Sequence, residues 1–457
     1  MAKTKSKSCI FIFRRDFRLI DNSALIKLVQ TIGTACIVPV FLLNDVQIDP
    51  KRNAYFSQHA FDFMIASLHD LDEQLRASGG RLFVFRAIRG DECNVLRSIA
   101  AKLDVSHVAF NADATPFARE RDGKIERWCA DNGVQLLTCD SDNTMLHVGA
   151  ATTNKGTTFE VFTPFYRKAM RIDVPKPKPW PQAKCAWHTS SIIGETSWVD
   201  LGGDVVGPGA GRHHALTILE DVMRGKCSSY SKHHDVPAKD ATTRIGAFMK
   251  FGCVSPREVY HAAKEGCGRG STLVQQLFWR EFYYNLAIGY PEILGGQRGM
   301  QNTFVKGRFA KTSWNTDAIA IQRWREGRTG APFVDAAMRC LNATGWLHNR
   351  GRMVVAMYLV RDMGVDWRVG ERYFATKLVD YDPINNNQGW CWALSYRRKL
   401  SPFKQASRFD PNCDFIREWV HEFKAVPTHD IIAWDVKWSL HSDRIKYPKP
   451  MCDKKST

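Results

Sequence analysis

The residue types that do chemistry are densest in one stretch, 345–392, which reads GWLHNRGRMVVAMYLVRDMGVDWRVGERYFATKLVDYDPINNNQGWCW. It carries Trp346, Trp367, Trp390 and Trp392 around an apolar run, MVVAMYLV (353–360). A segment apolar on every side reads as a buried helix. Polar groups beside such a helix need partners, because an unpaired buried amide or hydroxyl costs roughly 2–7 kcal/mol. Asn349, Arg350, Arg352, Asp380, Asp382 and Asn386 are therefore expected to face one another as an ion-pair network, or to face a bound polar ligand. These residues alone leave both readings open.

Three further stretches matter. WREFYYNL (279–286) crowds Trp279, Arg280, Phe282 and Tyr283 together. A helix this aromatic belongs in a core, yet an arginine within it needs an anion or a π face. In SKHHDVPAKDATTRIGAFMKFG (231–252), Thr242 and Thr243 precede a helix start, where hydroxyls and N–H groups suit either a phosphate or an ordinary cap. WALSYRRKLSPFKQASRF (392–409) interleaves aromatics with five basic residues and no acid. Basic groups hold phosphates while aromatics stack bases, so this is the pattern of a nucleic-acid surface.

The elements that must position these residues fall into two architectures. CIFIF (9–13), CIVPVFLL (36–43), RLFVFRA (81–87), VSHVAF (105–110) and VQLLTC (134–139) alternate with amphipathic stretches at 54–77 and 115–131. Continuous apolar strands between helices predict an α/β doubly wound parallel sheet over residues 1–140. No GxGxxG or Walker loop follows the first strand, so a nucleotide redox site is not expected there. VPKPKPWPQ (174–182) and GGDVVGPGAG (202–211) mark 141–211 as an interdomain linker. From 212 to 440 strand signals nearly vanish, and 213–225, 255–266, 272–289, 331–345 and 353–363 read as helices of an all-α domain. Residues 441–457 read as a tail.

Composition narrows the partners. The 457-residue chain has a net charge of +17, which favours a polyanion, nucleic acid first and an anionic membrane surface second. No apolar run reaches the ~18–20 residues that span a bilayer. MAKTKSKS is no secretory signal; it reads as a solubilising tail or a weak nuclear address. Thirteen cysteines, Cys9 to Cys452, include no CxxC pair, and the His213–His214 and His233–His234 doublets lack ligand spacing. No disulfide framework and no metal site are expected. Free thiols point to an intracellular, reducing compartment, cytoplasm or nucleus.

FIFRRDFRLIDNSAL (11–25), WREFYYNL, TGAPFVDAAMRCLNATGWLHNRGRM (329–353), DWRVGERYF (366–374) and NNNQGWCW (385–392), in that order and spacing, closely resemble the photolyase/cryptochrome flavoproteins, most of all class I-type cyclobutane pyrimidine dimer photolyases. The resemblance covers roughly residues 9–425. It implies an α/β antenna domain followed by an all-α domain that holds FAD. By motif, Tyr230, Thr242 and Thr243 would hold the FAD phosphates, and Arg280, Trp346, Asn349, Arg352, Asp380 and Asp382 would line the flavin and ribityl region. Asn386 matches the asparagine that faces flavin N5, where plant cryptochromes carry aspartate. A neutral amide there tolerates an anionic reduced flavin. Trp390, Trp367 and Trp314 match the family's electron relay. The lesion pocket would take Gln276, Trp279, Trp392, Asn349, Arg350 and Met353.

The implied activity is light-driven splitting of cyclobutane pyrimidine dimers in UV-damaged DNA by a monomeric enzyme, with electron transfer from excited, reduced FAD. A cryptochrome-type photoreceptor or a (6-4) photolyase are the alternatives; the latter's paired histidines are missing, since His348–Asn349 and Met353 stand there. A second, antenna chromophore of folate or deazaflavin type is open, with DATPFARE (113–120) in the matching region. Three departures stand out. Gln276 replaces a glutamate that hydrogen-bonds the damaged base, and Gly246 replaces a phosphate-binding serine. The loop after WCWA is shortened, where Arg397 and Arg398 would compensate.

Overall fold

The apolar runs of the first third do form a parallel sheet. The computed structural model describes residues 7–33, 35–181, 186–192, 194–198, 209–226, 229–239, 241–295, 313–395 and 400–452. Strands β1 (Ser8–Phe13), β2 (Cys36–Asn44), β3 (Phe83–Ala87), β4 (Val105–Asn111) and β5 (Gln135–Cys139) lie in the order β3-β2-β1-β4-β5, all parallel. Ile10, Ile12, Val38, Val40, Phe83, Phe85, Val108 and Phe110 fill its core, which explains why these strands read as unbroken apolar runs. The helices between strands begin where short polar side chains cap them: Asn22 before Ser23–Ile32, Asp91 before Glu92–Ala100, Thr115 before Pro116–Asp131.

The chain forms two compact units. One comprises Met1–Phe56, Phe61–Lys226 and Thr243–Gly296; the other comprises Ser57–Ala60, Cys227–Thr242 and Gln297–Thr457. The sheet's unit thus also holds the helices Gly211–Met223, Pro256–Cys267 and Thr272–Gly289. Within the proline- and glycine-rich stretch 141–211, a helix forms over Phe162–Ala169 and a short strand, Ala186–Trp187, pairs with β2.

The charge-dense run after β1 is consumed by a buried network in the first unit. Arg18 donates to Asp142 at 2.7 Å and to the carbonyl of Gly252 at 3.1 Å, with the side chains of the pair only 1% and 0% exposed. Asp21 accepts from Arg257 Nε at 2.8 Å and from the Ser255 hydroxyl. Burial pushes Asp142 up, but Arg18, Arg257 and the Ser23 N–H outweigh it and hold the carboxyl below its ordinary value. Asp16 forms no ion pair among the described residues, and the pull of Arg18 on it is weak. Burial, then repulsion from Asp142, raises it to about 6.

The second unit is helical: Ala318–Arg325, Pro332–Thr344, Asn349–Met357, Trp367–Lys377, Pro383–Ser395, Pro402–Phe409 and Asp414–Trp419. The all-apolar run begins one turn inside its helix, which starts at Asn349 because His348 caps it, accepting from the Arg350 N–H at 3.1 Å. A π-helical turn, Tyr358–Asp362, continues it. Fully buried Asp335 accepts from Thr329 N and Oγ1, Gly330 N and the Tyr447 hydroxyl. Tyr447 and Met451, whose N–H donates to Thr329 O at 2.9 Å, thereby tie residues near the C-terminus into this unit.

Gly252 adopts φ +68°, and a Cβ there would lie 2.0 Å from the Arg15 carbonyl oxygen. Gly133 has a similar φ of +65° with nothing within 4 Å. Gly133→Ala is therefore expected to destabilise by about 1 kcal/mol, the left-handed strain alone, and Gly252→Ala by at least about 3 kcal/mol. Thermal unfolding of the two variants side by side measures the difference; equal losses would contradict it.

Candidate functional site

His348 and the turn it starts organise one cluster in the second unit. Asn349 Nδ2 and Arg350 Nη1 both approach the Met353 sulfur, at 3.7 and 3.8 Å, so three residues expected at one pocket do meet. Asn349 is exposed and Met353 half-buried. Arg350 is less available than its charge suggests. Its Nη2 pairs with Asp235 at 2.7 Å, and its guanidinium lies 4.1 Å over the Phe409 ring. Burial pushes His348 down to about 4, against an opposing pull from the His234 backbone, so it is a neutral cap. Tyr230, which opens the helix Tyr230–His233, stacks on His234 at 5.0 Å.

A second cluster surrounds the start of the helix Pro383–Ser395. Arg352 grips Asp380 through Nη2 at 2.8 and 3.0 Å and is braced by Nε on the Leu347 carbonyl. Buried Asp382 accepts from the Asn385 backbone N–H at 2.8 Å, the geometry of a helix cap. Asn386 Nδ2 donates to Glu371 twice, to Oε1 at 2.9 Å and to the backbone carbonyl at 3.1 Å. With both amide protons used, Asn386 presents its oxygen as the group that can accept from a ligand. Glu371 is 7% exposed, and burial raises it to about 7, with the Asn386 hydrogen bond pulling the other way.

The tryptophans differ in depth. Trp390 is 2% exposed and Trp367 7%, whereas Trp314, Trp346 and Trp392 are half-buried. Trp390 packs edge-on against Phe374 at 5.0 Å and against Trp324 at 6.4 Å. Trp346 lies 6.2 Å from His348, edge to face.

In the first unit, the helix Thr272–Gly289 carries Gln276, exposed, and Trp279 and Arg280, half-buried. Arg280 Nη1 donates to Asn143 O at 2.6 Å and its guanidinium lies 4.4 Å from the Tyr284 ring. Its buried Nη2 has no partner among the described residues. A buried guanidinium N–H without an acceptor is costly, and an anionic or carbonyl-rich ligand would satisfy it. Thr243 Oγ1 accepts from Ile245 N at 3.4 Å just before the helix Gly246–Phe251. Thr242 is half-buried beside it in sequence. Arg397 and Arg398 lie outside the described residues.

Two residues escaped the sequence reading. Glu371 sits within DWRVGERYF, one turn after Trp367 and three residues before Phe374, an acid on an otherwise buried helix face. That spacing is the signal that could have found it. Phe162 lies in the stretch read as linker, yet stacks on Trp279 with ring centroids 3.6 Å apart; no local pattern announces it.

Glu371 also sets a pH dependence. Its folded value near 7 exceeds the ordinary 4.5, so the folded state binds the proton more tightly than the unfolded chain. The burial penalty is absent below the unfolded value, grows as pH rises toward the folded one, and is complete above it, up to about 3 kcal/mol. Glu371→Gln is therefore expected to melt higher than wild type at pH 8 and to converge with it near pH 5. Melting curves that differ equally at both pH values would contradict the assignment.

Comparison with known proteins bears on the family and the fold. Family models described as DNA photolyase and as the FAD binding domain of DNA photolyase match residues 9–182 and 273–457. The chain is 31% identical to the deoxyribodipyrimidine photo-lyase of Salmonella typhimurium and 30% identical to that of Escherichia coli, over 97% of this chain and 95% of each relative. Among solved structures it resembles an archaeal photolyase from Sulfolobus tokodaii with two FAD molecules (TM-score 0.82, 34% identity, 98% and 97% of the chains covered). It also resembles a class III photolyase from Agrobacterium tumefaciens (TM-score 0.84, 27% identity, 100% and 96% covered). A Synechocystis cryptochrome, 22% identical with a TM-score of 0.86 over 99% and 98%, shares the fold. With a parallel-sheet unit ahead of a helical one, and near-full-length identity to these enzymes, the chain belongs to the DNA photolyase family.

Proposed function

We propose that this protein is a deoxyribodipyrimidine photo-lyase that binds UV-damaged DNA and splits cyclobutane pyrimidine dimers in light. The observation that carries the reading is the near-full-length identity to photo-lyases, combined with Asn386 held by buried Glu371 inside the region matched by the FAD-binding model. When bound, reduced FAD supplies the light absorption and the electron that the dimer receives.

The chain's own residues do the positioning. Arg280 Nη2 offers a buried donor, and the Arg352–Asp380 pair offers a rigid fork whose charge is already balanced. Tyr230, Thr242 and Thr243 are assigned to phosphates, and Trp346, Asn349 and Asp382 to the flavin and ribityl region. Asn386, neutral and with its amide protons taken by Glu371, would offer its oxygen to an N–H of the flavin without placing a carboxylate there. That choice is compatible with an anionic reduced flavin, because a fixed negative charge at contact distance would oppose it. Trp390, Trp367 and Trp314, ordered from buried to part-exposed, are assigned to electron relay.

Lesion recognition is assigned to Trp279 and Gln276 in the first unit and to Trp392, Asn349, Arg350 and Met353 in the second. A dimer pairs and stacks poorly, so turning it out of the helix is easier than turning out an intact base. Because Asp235 already neutralises Arg350, phosphate attraction must come chiefly from other cations, in line with the +17 charge.

Purified, photoreduced protein incubated with oligonucleotides carrying either lesion, in light and in dark, tests the reading. Light-dependent loss of cyclobutane dimers and none of (6-4) products is expected; no loss of dimers would sink it. Gln276 can accept and donate hydrogen bonds but cannot supply an acidic proton to an anionic dimer, so Gln276→Glu is expected to raise the repair quantum yield. An unchanged or lower yield would contradict that role. Trp390→Phe is expected to suppress photoreduction of the oxidised flavin while chemically reduced protein still repairs, read by flavin absorbance and dimer loss in parallel.

A further inference from the structure

Trp279 is covered on one face. Phe162 lies parallel to it, centroids 3.6 Å apart and planes 6° from each other, and Tyr166 lies parallel to Phe162 at 5.4 Å and 16°. The three rings form a column. Phe162 and Tyr166 stand one turn apart on the helix Phe162–Ala169, which is pinned beneath by Phe165, itself fully buried and 5.4 Å from Phe282. Phe282 also meets both Trp279 and Phe162 edge-on, at 6.0 and 5.8 Å. Trp279 nonetheless stays half-buried.

An indole has two faces, and a ring stacked at van der Waals distance occupies one of them completely. A nucleobase can then reach only the opposite face. The column also removes rotamer freedom from Trp279 before DNA arrives, so less ordering remains to be done on binding. From this geometry we infer that Phe162 is a positioning residue for damage recognition: it backs Trp279 and fixes the plane on which a flipped pyrimidine dimer stacks. The inference rests on the assignment of Trp279 to the lesion. It gives the short helix in the 141–211 stretch a part in substrate selection.

The requirement is flatness, not bulk, and the test separates the two. Binding of a duplex oligonucleotide carrying one thymine dimer is compared with binding of the same undamaged duplex, for wild type, Trp279→Ala, Phe162→Tyr and Phe162→Leu. Phe162→Tyr keeps the stack and is expected to keep wild-type preference for the dimer. Phe162→Leu keeps apolar volume without a plane and is expected to lose roughly fivefold in that preference, with affinity for undamaged DNA unchanged. The quenching of tryptophan fluorescence by bound dimer should fall with it, and melting temperature should not. Should Phe162→Leu discriminate as well as wild type while Trp279→Ala does not, the inference fails and the parent assignment stands. If Phe162→Tyr fails alongside Phe162→Leu, with both melting lower, Phe162 is merely structural. A wild-type protein that does not prefer the dimer, or a Trp279→Ala variant that discriminates normally, overturns the parent assignment as well.

Discussion

A buried charge must be answered, and this molecule is built around its answers. In the first unit the answer is opposite charge: Arg18 and Asp142, nearly inaccessible, neutralise each other while Arg257 and Asp21 close the network. In the second unit Asp335 is answered by backbone and hydroxyl donors, and burial raises its carboxyl against them. Glu371 accepts from Asn386, but burial outweighs that bond and its proton is retained to about 7. Each solution fixes the elements that carry it, because removing one partner strands the other in a low-dielectric interior.

The candidate site grows out of the same constraint. Arg352 and Asp380 satisfy each other, Asp382 satisfies a helix start, and Glu371 engages the amide protons of Asn386. What remains are oriented groups within each unit, the Arg280 Nη2 in the first and the Asn386 oxygen in the second. Each is held by its own neighbours and so needs little reordering to meet a ligand. The two readings first open for the polar residues of 345–392, a structural network or a ligand site, are compatible: the network holds still the atoms that are proposed to face a ligand.

Identity near 30% with TM-scores above 0.8 has a physical basis. Cores tolerate apolar exchange when volume and pattern persist, whereas caps, left-handed glycines against backbone and paired buried charges do not. Gly252 beside Arg15 and the Arg18–Asp142 pair are constraints of the second kind.

By itself the sequence determined the fold class. Strand-length apolar runs between amphipathic helices admit only a covered parallel sheet, and the disappearance of such runs after 212 admits only helices. It also determined the chemistry on offer, since Asn386, Arg352, Asp380 and the tryptophans are legible as residue types at characteristic spacing. Only the tertiary structure decided which of them are occupied. That Arg350 is neutralised by Asp235, that Asn386 is bound to Glu371, and that Phe162 backs Trp279 are pairings between residues 15 to 117 positions apart. Periodicity reports which face of an element is buried, not which distant side chain meets it there. Those meetings depend on how helices pack, and packing is written in shape rather than in spacing.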